Sequence, residues 1–462
     1  MNEPKSPTHR SLSRRNLLGG ALAAGAAGAL VGVPGATAVA HAATKPGEGT
    51  KPEKRPATVF FKDERLNFQM LFAIGSAGYG VSEVGEVLAA FDRIHAKGDT
   101  YRATFEEFLR LGRQTRTRAD KEHAAGRNES ARSSYLRAAM YLDQALFFVL
   151  ASKSPTRHHE GAVYSEMEAA WARAGALFRP RFEPVSIPWE GGTMPGWFLS
   201  PGGQGRRPTV IINNGSDGQN VDLYVEGGAA ALERGWNALI LEGPGQGANL
   251  FLRSQIFIPQ WERVITPVVD FLRARPDVDR RRISLTGISF GGYLTARAAV
   301  HERRLAALVT DTGVTDCFSD WEHELPHFLL KLLREGRATD FDRAWDEIPS
   351  QVSEADRFSV AKRSEIYGNG GGYERMTNAR RYVLSRAEAG LITMPTAITA
   401  PELEAYFPGQ QEKLHRWIGA SSTLIPFTVA EGGEYHCEPM APQLRNERVY
   451  DWLETNAKPI RA

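Results

Sequence analysis

The feature that most constrains this chain is a tight turn between a strand-like run and a helix-like run. Residues 282–286 (Arg-Ile-Ser-Leu-Thr) have a strand-like pattern, and they lead directly into Gly287-Ile288-Ser289-Phe290-Gly291. This Gly-x-Ser-x-Gly pattern is typical of a nucleophile elbow, in which a serine occupies a strained strand-to-helix turn. Neighbouring chain passes close to such a turn, so the flanking positions must be small. The pattern predicts an exposed Ser289 Oγ at the carboxyl end of a strand, beside helix N–H groups that favour negative charge.

Apolar runs of strand length alternate with helical patterns in the second half of the chain. The candidate strands are residues 209–213, 237–241, 282–286, 305–310, 396–399 and 423–428. Buried strands separated by helices predict a mostly parallel sheet that is covered on both faces. Residues 182–189 and 194–199 precede them and have the pattern of a β-hairpin. We therefore expect an α/β fold.

The periodicity and composition divide the chain into six segments. They are a signal peptide (1–43), a disordered linker (44–58), an N-terminal helical cap domain (59–180), a first part of the α/β core (181–315), a helical lid insertion (316–388) and a second part of the core (389–462). The linker is rich in Pro, Gly and Lys, whereas the cap shows helical spacing. The insertion follows the sixth core strand, where a lid would lie over the site.

The N-terminal segment has the features of an export signal. Arg14 and Arg15 form a twin-arginine pattern, and a Gly- and Ala-rich apolar run follows to about Val33. A transmembrane anchor is the alternative, but the run is short and rich in small residues. Small-residue cleavage sites at 38–40 or 40–42 favour removal of the segment. We expect the twin-arginine (Tat) export machinery as a partner and a secreted or extracytoplasmic location.

Charge and cysteine content exclude some classes of protein. The formal net charge is +2, and removal of residues 1–42 takes away four basic residues and one acidic residue, which lowers it to −1. Such a balance gives no indication of nucleic acid binding. Cys317 and Cys437 are the only cysteines, so the chain has no disulfide framework. Two buried free thiols are the simpler expectation, and a single bridge between them is the alternative.

A serine nucleophile needs a base, and the base needs an orienting acid. In folds with this elbow the chain order is serine, acid, histidine. His436 follows the last candidate strand within a glycine-containing loop, so we assign it as the general base. The acid should follow the strand that ends near Thr399, where Glu402 and Glu404 are the candidates. We favour Glu404.

The oxyanion formed during acyl transfer needs two backbone N–H donors. The first should be that of Phe290, directly after the nucleophile. The second should come from the loop after the first parallel strand, where Ser216 is our choice and Asp217 the next candidate. Asp217 is also a candidate for substrate binding.

Two other motifs resemble known sites but lack essential parts of them. Residues 242–247 read Glu-Gly-Pro-Gly-Gln-Gly, but they have neither the Lys-Ser/Thr of a P-loop nor dinucleotide-binding spacing, so we expect a structural turn. Residues 323–327 match the zinc motif His-Glu-x-x-His. Pro326 should interrupt the helix that this motif requires. We expect no metal and no cofactor.

Several stretches together resemble a known group of enzymes. The residues are 214–218 (Asn-Gly-Ser-Asp-Gly), 242–247, 287–293, 407–410 (Phe-Pro-Gly-Gln) and 436–438 (His-Cys-Glu). Between about Pro208 and Leu453 the chain resembles the α/β-hydrolase subfamily that includes 2,6-dihydroxypseudooxynicotine hydrolase, fungal polyketide-shortening pigment hydrolases and FrsA-like esterases. The resemblance implies the α/β-hydrolase fold, with an N-terminal helical region packed over the active site.

The resemblance also implies roles for particular residues. It implies Ser289 as nucleophile and His436 as base. The family's acid is usually an Asp, at the position of Glu404, so this chain departs from the family there. Carbon–carbon hydrolases of the group use a further carboxylate after the sixth strand. Glu324 is the best match to it, with Glu322 and Asp320 as alternatives.

These features predict a secreted serine hydrolase. Its substrate would be an ester, lactone or activated ketone of modest size and partly aromatic character, and we include a homodimer among the expected assemblies. A serine peptidase of the prolyl-oligopeptidase type is the first alternative. Those enzymes usually carry a β-propeller, whereas the N-terminal region here has helical spacing. A non-catalytic binding protein on a hydrolase scaffold is the second.

Overall fold

The computed structural model describes residues 59–153, 155–347 and 353–460. The predicted signal peptide and the predicted linker, residues 1–43 and 44–58, lie outside the described residues. Within the described ranges, no helix combines the length and the apolar character needed to cross a membrane.

Eight strands form one mostly parallel sheet. They are β1 (Glu183–Trp189), β2 (Gly192–Leu199), β3 (Arg207–Asn213), β4 (Asn237–Leu241), β5 (Val278–Ile288), β6 (Ala307–Asp311), β7 (Thr396–Pro401) and β8 (Ser422–Phe427). Their order across the sheet is β1-β2-β4-β3-β5-β6-β7-β8. β1 and β2 form the predicted antiparallel hairpin, and β2 also runs antiparallel to β4. All other neighbouring strands are parallel, which confirms the predicted fold class.

Helices occupy three regions of the chain. Before the sheet lie α1 (Glu64–Gly75), α2 (Val84–His95), α3 (Tyr101–Ala124), α4 (Asn128–Phe147) and α5 (Arg157–Leu177). Between β3 and β6 lie α6 (Asn220–Leu223), α7 (Ala229–Glu233), α8 (Gly247–Phe251), α9 (Glu262–Ala274) and α10 (Gly291–His301). After β6 come α11 (Phe318–Glu324), α12 (His327–Arg334), α13 (Ala338–Glu347), α14 (Glu354–Ser364), α15 (Gly372–Ala379), α16 (Arg386–Ala389), α17 (Gln410–Ile418) and α18 (Pro442–Asn456).

The apolar strands define the core because both faces of the sheet are covered. Every residue of β4 and β6 is buried, as expected for continuous apolar strands between two helical layers. The registers pair Asn213 with Gly287, and Ile288 with Asp311. The carboxyl ends of β3, β5 and β6 therefore meet at one edge of the sheet. In open α/β sheets, ligands bind outside this edge.

Candidate active site

Ser289 stands at the tip of the turn between β5 and α10. Its φ is +57°, a left-handed conformation that non-glycine residues seldom adopt and that is typical of strained functional turns. The N–H of Ser289 donates to the carbonyl of Asp311 at the end of β6. The next strand therefore fixes the strained turn.

The glycines around Ser289 are required by the close passage of neighbouring backbone. A Cβ at Gly287 would lie 2.2 Å from the Gly291 carbonyl oxygen, and one at Gly292 would lie 1.9 Å from the Thr312 carbonyl oxygen. Gly215, in the loop after β3, approaches from the other side, where a Cβ would lie 2.9 Å from that of Ser289. These distances leave no room for a side chain, which is the physical basis of the sequence pattern.

The structure brings Ser289, His436 and Glu404 together in one hydrogen-bonded chain. Nε2 of His436 lies 2.8 Å from Oγ of Ser289, and Nδ1 of His436 lies 2.7 Å from Oε2 of Glu404. The side chains of His436 and Glu404 are only 6% and 2% exposed, so water competes little for these contacts. This is the geometry of a nucleophile, a base and an orienting acid.

Glu404 is held in place by its own loop. Its Oε1 accepts hydrogen bonds from the N–H groups of Tyr406, at 2.7 Å, and Phe407, at 3.0 Å. Burial raises the pKa of Glu404, but His436 and these two N–H groups together lower it below its usual value. Glu402, the alternative, instead accepts from the N–H of Val429 on the exposed side of the loop. The structure therefore places Glu404, and not Glu402, beside the histidine.

The environment of His436 favours proton uptake. Burial lowers its pKa, but the adjacent Glu404 carboxylate outweighs this effect and raises the pKa above the usual value. A hydrogen bond from Nδ1–H to Glu404 leaves Nε2 unprotonated and directed at the serine hydroxyl. The arrangement suits a base that must accept the proton of Ser289.

The predicted oxyanion donors lie beside the nucleophile. Among the described residues, neither the N–H of Phe290 nor that of Ser216 donates to another protein group. The side chain of Ser216 donates to Asp217 at 2.6 Å. The loop is held from behind by Gln246, whose Nε2 donates to the carbonyls of Asn214 (2.8 Å) and Gly215 (3.2 Å). The turn at residues 242–247 thus supports the loop of Ser216 as a structural element.

A cavity of about 180 Å³ opens in front of Ser289. The cap domain, the core and the insertion all contribute to its walls. Its aromatic lining residues are Phe68, Phe72, Tyr101, Phe147, Phe148, Phe290, Trp321, Phe358, Tyr367, Tyr406 and Phe407. Asp217, Cys317 and Cys437 also line it, and both cysteines are buried free thiols. A partly aromatic organic substrate would suit such walls.

The predicted auxiliary carboxylate Glu324 does not line this cavity. It lies 2.6 Å from Arg363 and 3.3 Å from Arg65, in an ion-pair cluster that joins α11 to α14 and to the cap helix α1. Asp320, one of the alternatives, also pairs with Arg363 and does line the cavity. The structure therefore favours Asp320 over Glu324 as the carboxylate that substrate can reach.

The His-Glu-x-x-His segment is interrupted as Pro326 predicts. α11 ends at Glu324 and α12 begins at His327, with Leu325 in an extended conformation between them (ψ 140°). The imidazole Nδ1 of His323 lies 2.6 Å from the carbonyl oxygen of Ser319, on the exposed side of the helix. The two histidines thus do not share the continuous helical turn that a zincin site needs.

Sequence reasoning missed several polar residues of the cavity. Asp143, Asp222, Glu226 and Lys362 line it; Asp222 is partly exposed, and the other three are buried. The one available signal was an acidic residue on an apolar helical stretch, since Asp143 follows Met140, Tyr141 and Leu142. Nothing in the local pattern indicated that these residues meet around one cavity.

Comparison with known proteins places the chain among hydrolases. Residues 265–359 match the model of the prolyl oligopeptidase family. The hydrolase LUC6 of a Fusarium species is 28% identical over 422 residues, which cover 85% of this chain and 97% of that protein. The 20-hydroxy-prefusarin hydrolase FUS2 of Gibberella moniliformis is 27% identical over 426 residues, with 86% and 97% covered.

A solved structure supports the same assignment of fold. The crystal structure of 2,6-dihydroxy-pseudo-oxynicotine hydrolase superposes with a TM-score of 0.65 at 20% identity, over 85% of this chain and 96% of that one. The likeness extends beyond the core to the helical cap, because nearly the whole of both chains is covered. The chain is a hydrolase with the α/β-hydrolase fold, similar to 2,6-dihydroxypseudooxynicotine hydrolase and to fungal hydrolases such as LUC6 and FUS2.

Proposed function

We propose that this protein is a serine hydrolase that cleaves an ester, a lactone or an activated ketone through an acyl-enzyme. The observation that carries the proposal is the buried chain of contacts from Ser289 Oγ to His436 (2.8 Å) and on to Glu404 (2.7 Å). A core histidine with only a structural role would not need a strained serine at one nitrogen and a buried carboxylate at the other.

The residues support a two-stage reaction. His436 Nε2 takes the proton of Ser289 as Oγ attacks the substrate carbonyl carbon, and Glu404 stabilises the imidazolium. The N–H groups of Phe290 and Ser216 stabilise the oxyanion. When the tetrahedral intermediate collapses, His436 gives its proton to the leaving group. Water, activated by the same histidine, then releases the acid and regenerates Ser289.

The cavity supports a substrate of modest size with aromatic or other unsaturated parts. Its volume is about 180 Å³, and eleven of its lining residues are Phe, Tyr or Trp. Cleavage of a carbon–carbon bond would need an electron sink, such as a β-diketone or a hydroxylated ring, because a bare carbanion is a poor leaving group. Esters and lactones need no such sink.

The acyl-enzyme is the species to detect. Rapid mixing with a p-nitrophenyl ester should give a burst of nitrophenol equal to the enzyme concentration, and intact mass should show one acyl group. Ser289→Ala should give neither signal while keeping the thermal melting temperature of the parent protein. A Ser289→Ala protein that turns over at the parental rate would refute the proposal.

A peptidase of the prolyl-oligopeptidase type is a second candidate, favoured by the family match over residues 265–359. Against it, described residues 59–180 form helices α1–α5, where a β-propeller would be expected. Comparison of aminoacyl p-nitroanilides with aryl esters separates the two. Amide turnover without ester turnover would favour the peptidase.

Export by the twin-arginine pathway remains part of the proposal and rests on Arg14 and Arg15 with the apolar run that follows. A mature N-terminus at residue 41 or 43 in the culture medium would support it. Retention after Arg14→Lys with Arg15→Lys is the expected control result. We also propose a homodimer, which sedimentation equilibrium of the purified protein would test.

A further inference from the structure

One wall of the catalytic cavity carries more carboxyl groups than the nearby cations can balance. Asp143 of the cap helix α4, Asp222 of α6 and Glu226, four residues later, all line the cavity, together with Asp217. We call Asp143, Asp222 and Glu226 the acidic wall. They come from two separate parts of the chain, the cap and the segment after the oxyanion loop.

The cations that line the cavity already have carboxylate partners. Lys362 lies 3.0 Å from Glu365, and Arg363 lies 2.6 Å from Glu324. Arg65 lies 3.3 Å from both Glu324 and Asp356. None of these cations forms an ion pair with a member of the acidic wall within 4.0 Å among the described residues. Arg445, which does not line the cavity, is the one cation within 4.0 Å of the wall among the described residues, 3.7 Å from Glu226. The three carboxyl groups therefore outnumber their cations, and the excess is carried as negative charge or neutralised by bound protons.

Glu226 is a buried carboxyl group with an oxygen that accepts no hydrogen bond from the part of the chain that the structure describes. It is 4% exposed, and its Oε2 has no hydrogen-bond partner among the described residues. The closest cation, Arg445, is 3.7 Å away and is bound to Asp311 at 2.7 Å. A buried carboxyl oxygen at a cavity wall without a donor is costly unless a ligand supplies one.

Aromatic rings stand beside the wall. Phe147 is one helical turn after Asp143 on α4, and its ring centroid lies 6.0 Å from that of Phe358. Phe358 in turn lies 4.8 Å from Tyr101. Rings next to carboxylates form a common environment for organic cations, because the ring faces carry partial negative charge.

We propose that the acidic wall is a subsite for an ammonium group carried by the substrate. Asp143, Asp222 and Glu226 would accept its N–H hydrogen bonds, while Phe147 and Phe358 contact the carbon chain that bears it. This inference rests on the proposed function, since it assigns the substrate class of that same site. It requires a molecule with an amine at one end and the scissile carbonyl at the other.

Binding should be linked to proton release. Burial raises the pKa of Asp143 well above its usual value, with Asp222 and Asp217 adding to the effect and Lys362 opposing it. Burial also raises the pKa of Glu226, to about 8. Arg445 lowers this pKa, whereas Asp311 and Asp222 raise it further. Burial raises the pKa of Asp222 to about 6, although its hydrogen bonds with Gln219 and Asp143 lower the pKa. At pH 7 the arriving cation therefore displaces carboxyl protons.

Calorimetric titration of the full chain with phenethylammonium and with 2-phenylethanol tests the proposed ammonium subsite directly. The two ligands share the ring and the chain length and differ in charge. We expect the ammonium to bind at least about tenfold more tightly than the alcohol, as for charge-assisted hydrogen bonds. Titration in two buffers of different ionisation enthalpy should show proton release for the ammonium alone.

Near-isosteric variants locate the binding. Asp143→Asn and Glu226→Gln should each reduce ammonium affinity about tenfold and leave alcohol affinity unchanged, whereas exposed Asp346→Asn should change neither. If one variant does not fold, the other still carries the test. Equal affinity for the two ligands, no binding of either, or an ammonium preference that survives both substitutions would overturn the proposal. Because the assay measures binding and not turnover, its failure is distinguishable from failure of the Ser289 chemistry.

Discussion

Shortening Glu404 by one methylene should impair catalysis strongly, although aspartate is the commoner triad acid. Glu404 Oε2 is 2.7 Å from His436 Nδ1, while Oε1 accepts from Tyr406 and Phe407. Removal of one carbon retracts the carboxylate by about 1.5 Å. If the loop backbone keeps its position, the distance to Nδ1 becomes about 4 Å, which is too long for a hydrogen bond.

The expected loss follows from the strength of that contact. A hydrogen bond to a charged group contributes about 1.5–3 kcal/mol. At about 1.4 kcal/mol per factor of ten, kcat/KM of Glu404→Asp should fall about 10- to 150-fold. Glu404→Gln should fall further, by up to about 10⁴-fold, as found when a triad acid is replaced by its amide.

The pH profile separates a catalytic effect from a structural one. Activity needs the neutral imidazole, so kcat/KM should decline as the pH falls through the pKa of His436. Burial lowers this pKa and the Glu404 carboxylate raises it more, so Glu404→Gln removes the larger effect. The acidic limb should therefore move to lower pH in Glu404→Gln.

Initial rates with an aryl ester between pH 4 and 9, with thermal melting as the control for folding, measure both effects. Full activity of Glu404→Asp would show that the loop adapts and that the extra methylene is not needed. An acidic limb that stays in place or moves to higher pH in Glu404→Gln would refute the pairing of Glu404 with His436.

Three further substitutions test other parts of the structure. Gly292→Ala places a Cβ 1.9 Å from the Thr312 carbonyl oxygen and should lower stability by about 1–3 kcal/mol in urea denaturation, whereas Gly85→Ala, which meets nothing within 4 Å, should not. Arg445→Leu leaves the fully buried carboxylate of Asp311 without the cation that it contacts at 2.7 Å and should lower stability by about 3–5 kcal/mol at neutral pH. A loss below about 1 kcal/mol would contradict that role. Gln246→Leu removes the donor to the Asn214 and Gly215 carbonyls. This substitution should lower kcat about tenfold with little change in KM. The loss is smaller than the roughly 10²- to 10³-fold loss of kcat on removal of an oxyanion donor, because both donors remain. An unchanged kcat would show that the loop holds its position without Gln246.

Local patterns predicted the features that depend on a few consecutive residues. The elbow at Ser289, the hairpin of β1 and β2, and the helix break at Pro326 each require particular residue types at fixed spacing, so the sequence was sufficient. Chain order and loop position then selected His436 and Glu404, because the carboxyl ends of parallel strands meet at one edge of the sheet.

Features built from distant parts of the chain were not predictable in this way. Arg445 on α18 is 1% exposed and pairs with Asp311, 134 residues earlier. Arginine is seldom fully buried, so a helical arginine is normally expected at the surface. The contribution of Asp143 to the cavity likewise depends on how the cap packs over the sheet, which hydrophobic periodicity does not specify. Glu324 was assigned only from the resemblance to carbon–carbon hydrolases, and the structure places that residue in an ion-pair cluster outside the cavity.

The central claim is that Ser289 is an activated nucleophile, and intact-mass analysis after a fluorophosphonate probe tests it most directly. One adduct on the parent protein and none on a folded Ser289→Ala variant is the predicted result. Absence of an adduct on the parent protein, or an adduct that persists in Ser289→Ala, would contradict the proposed reaction.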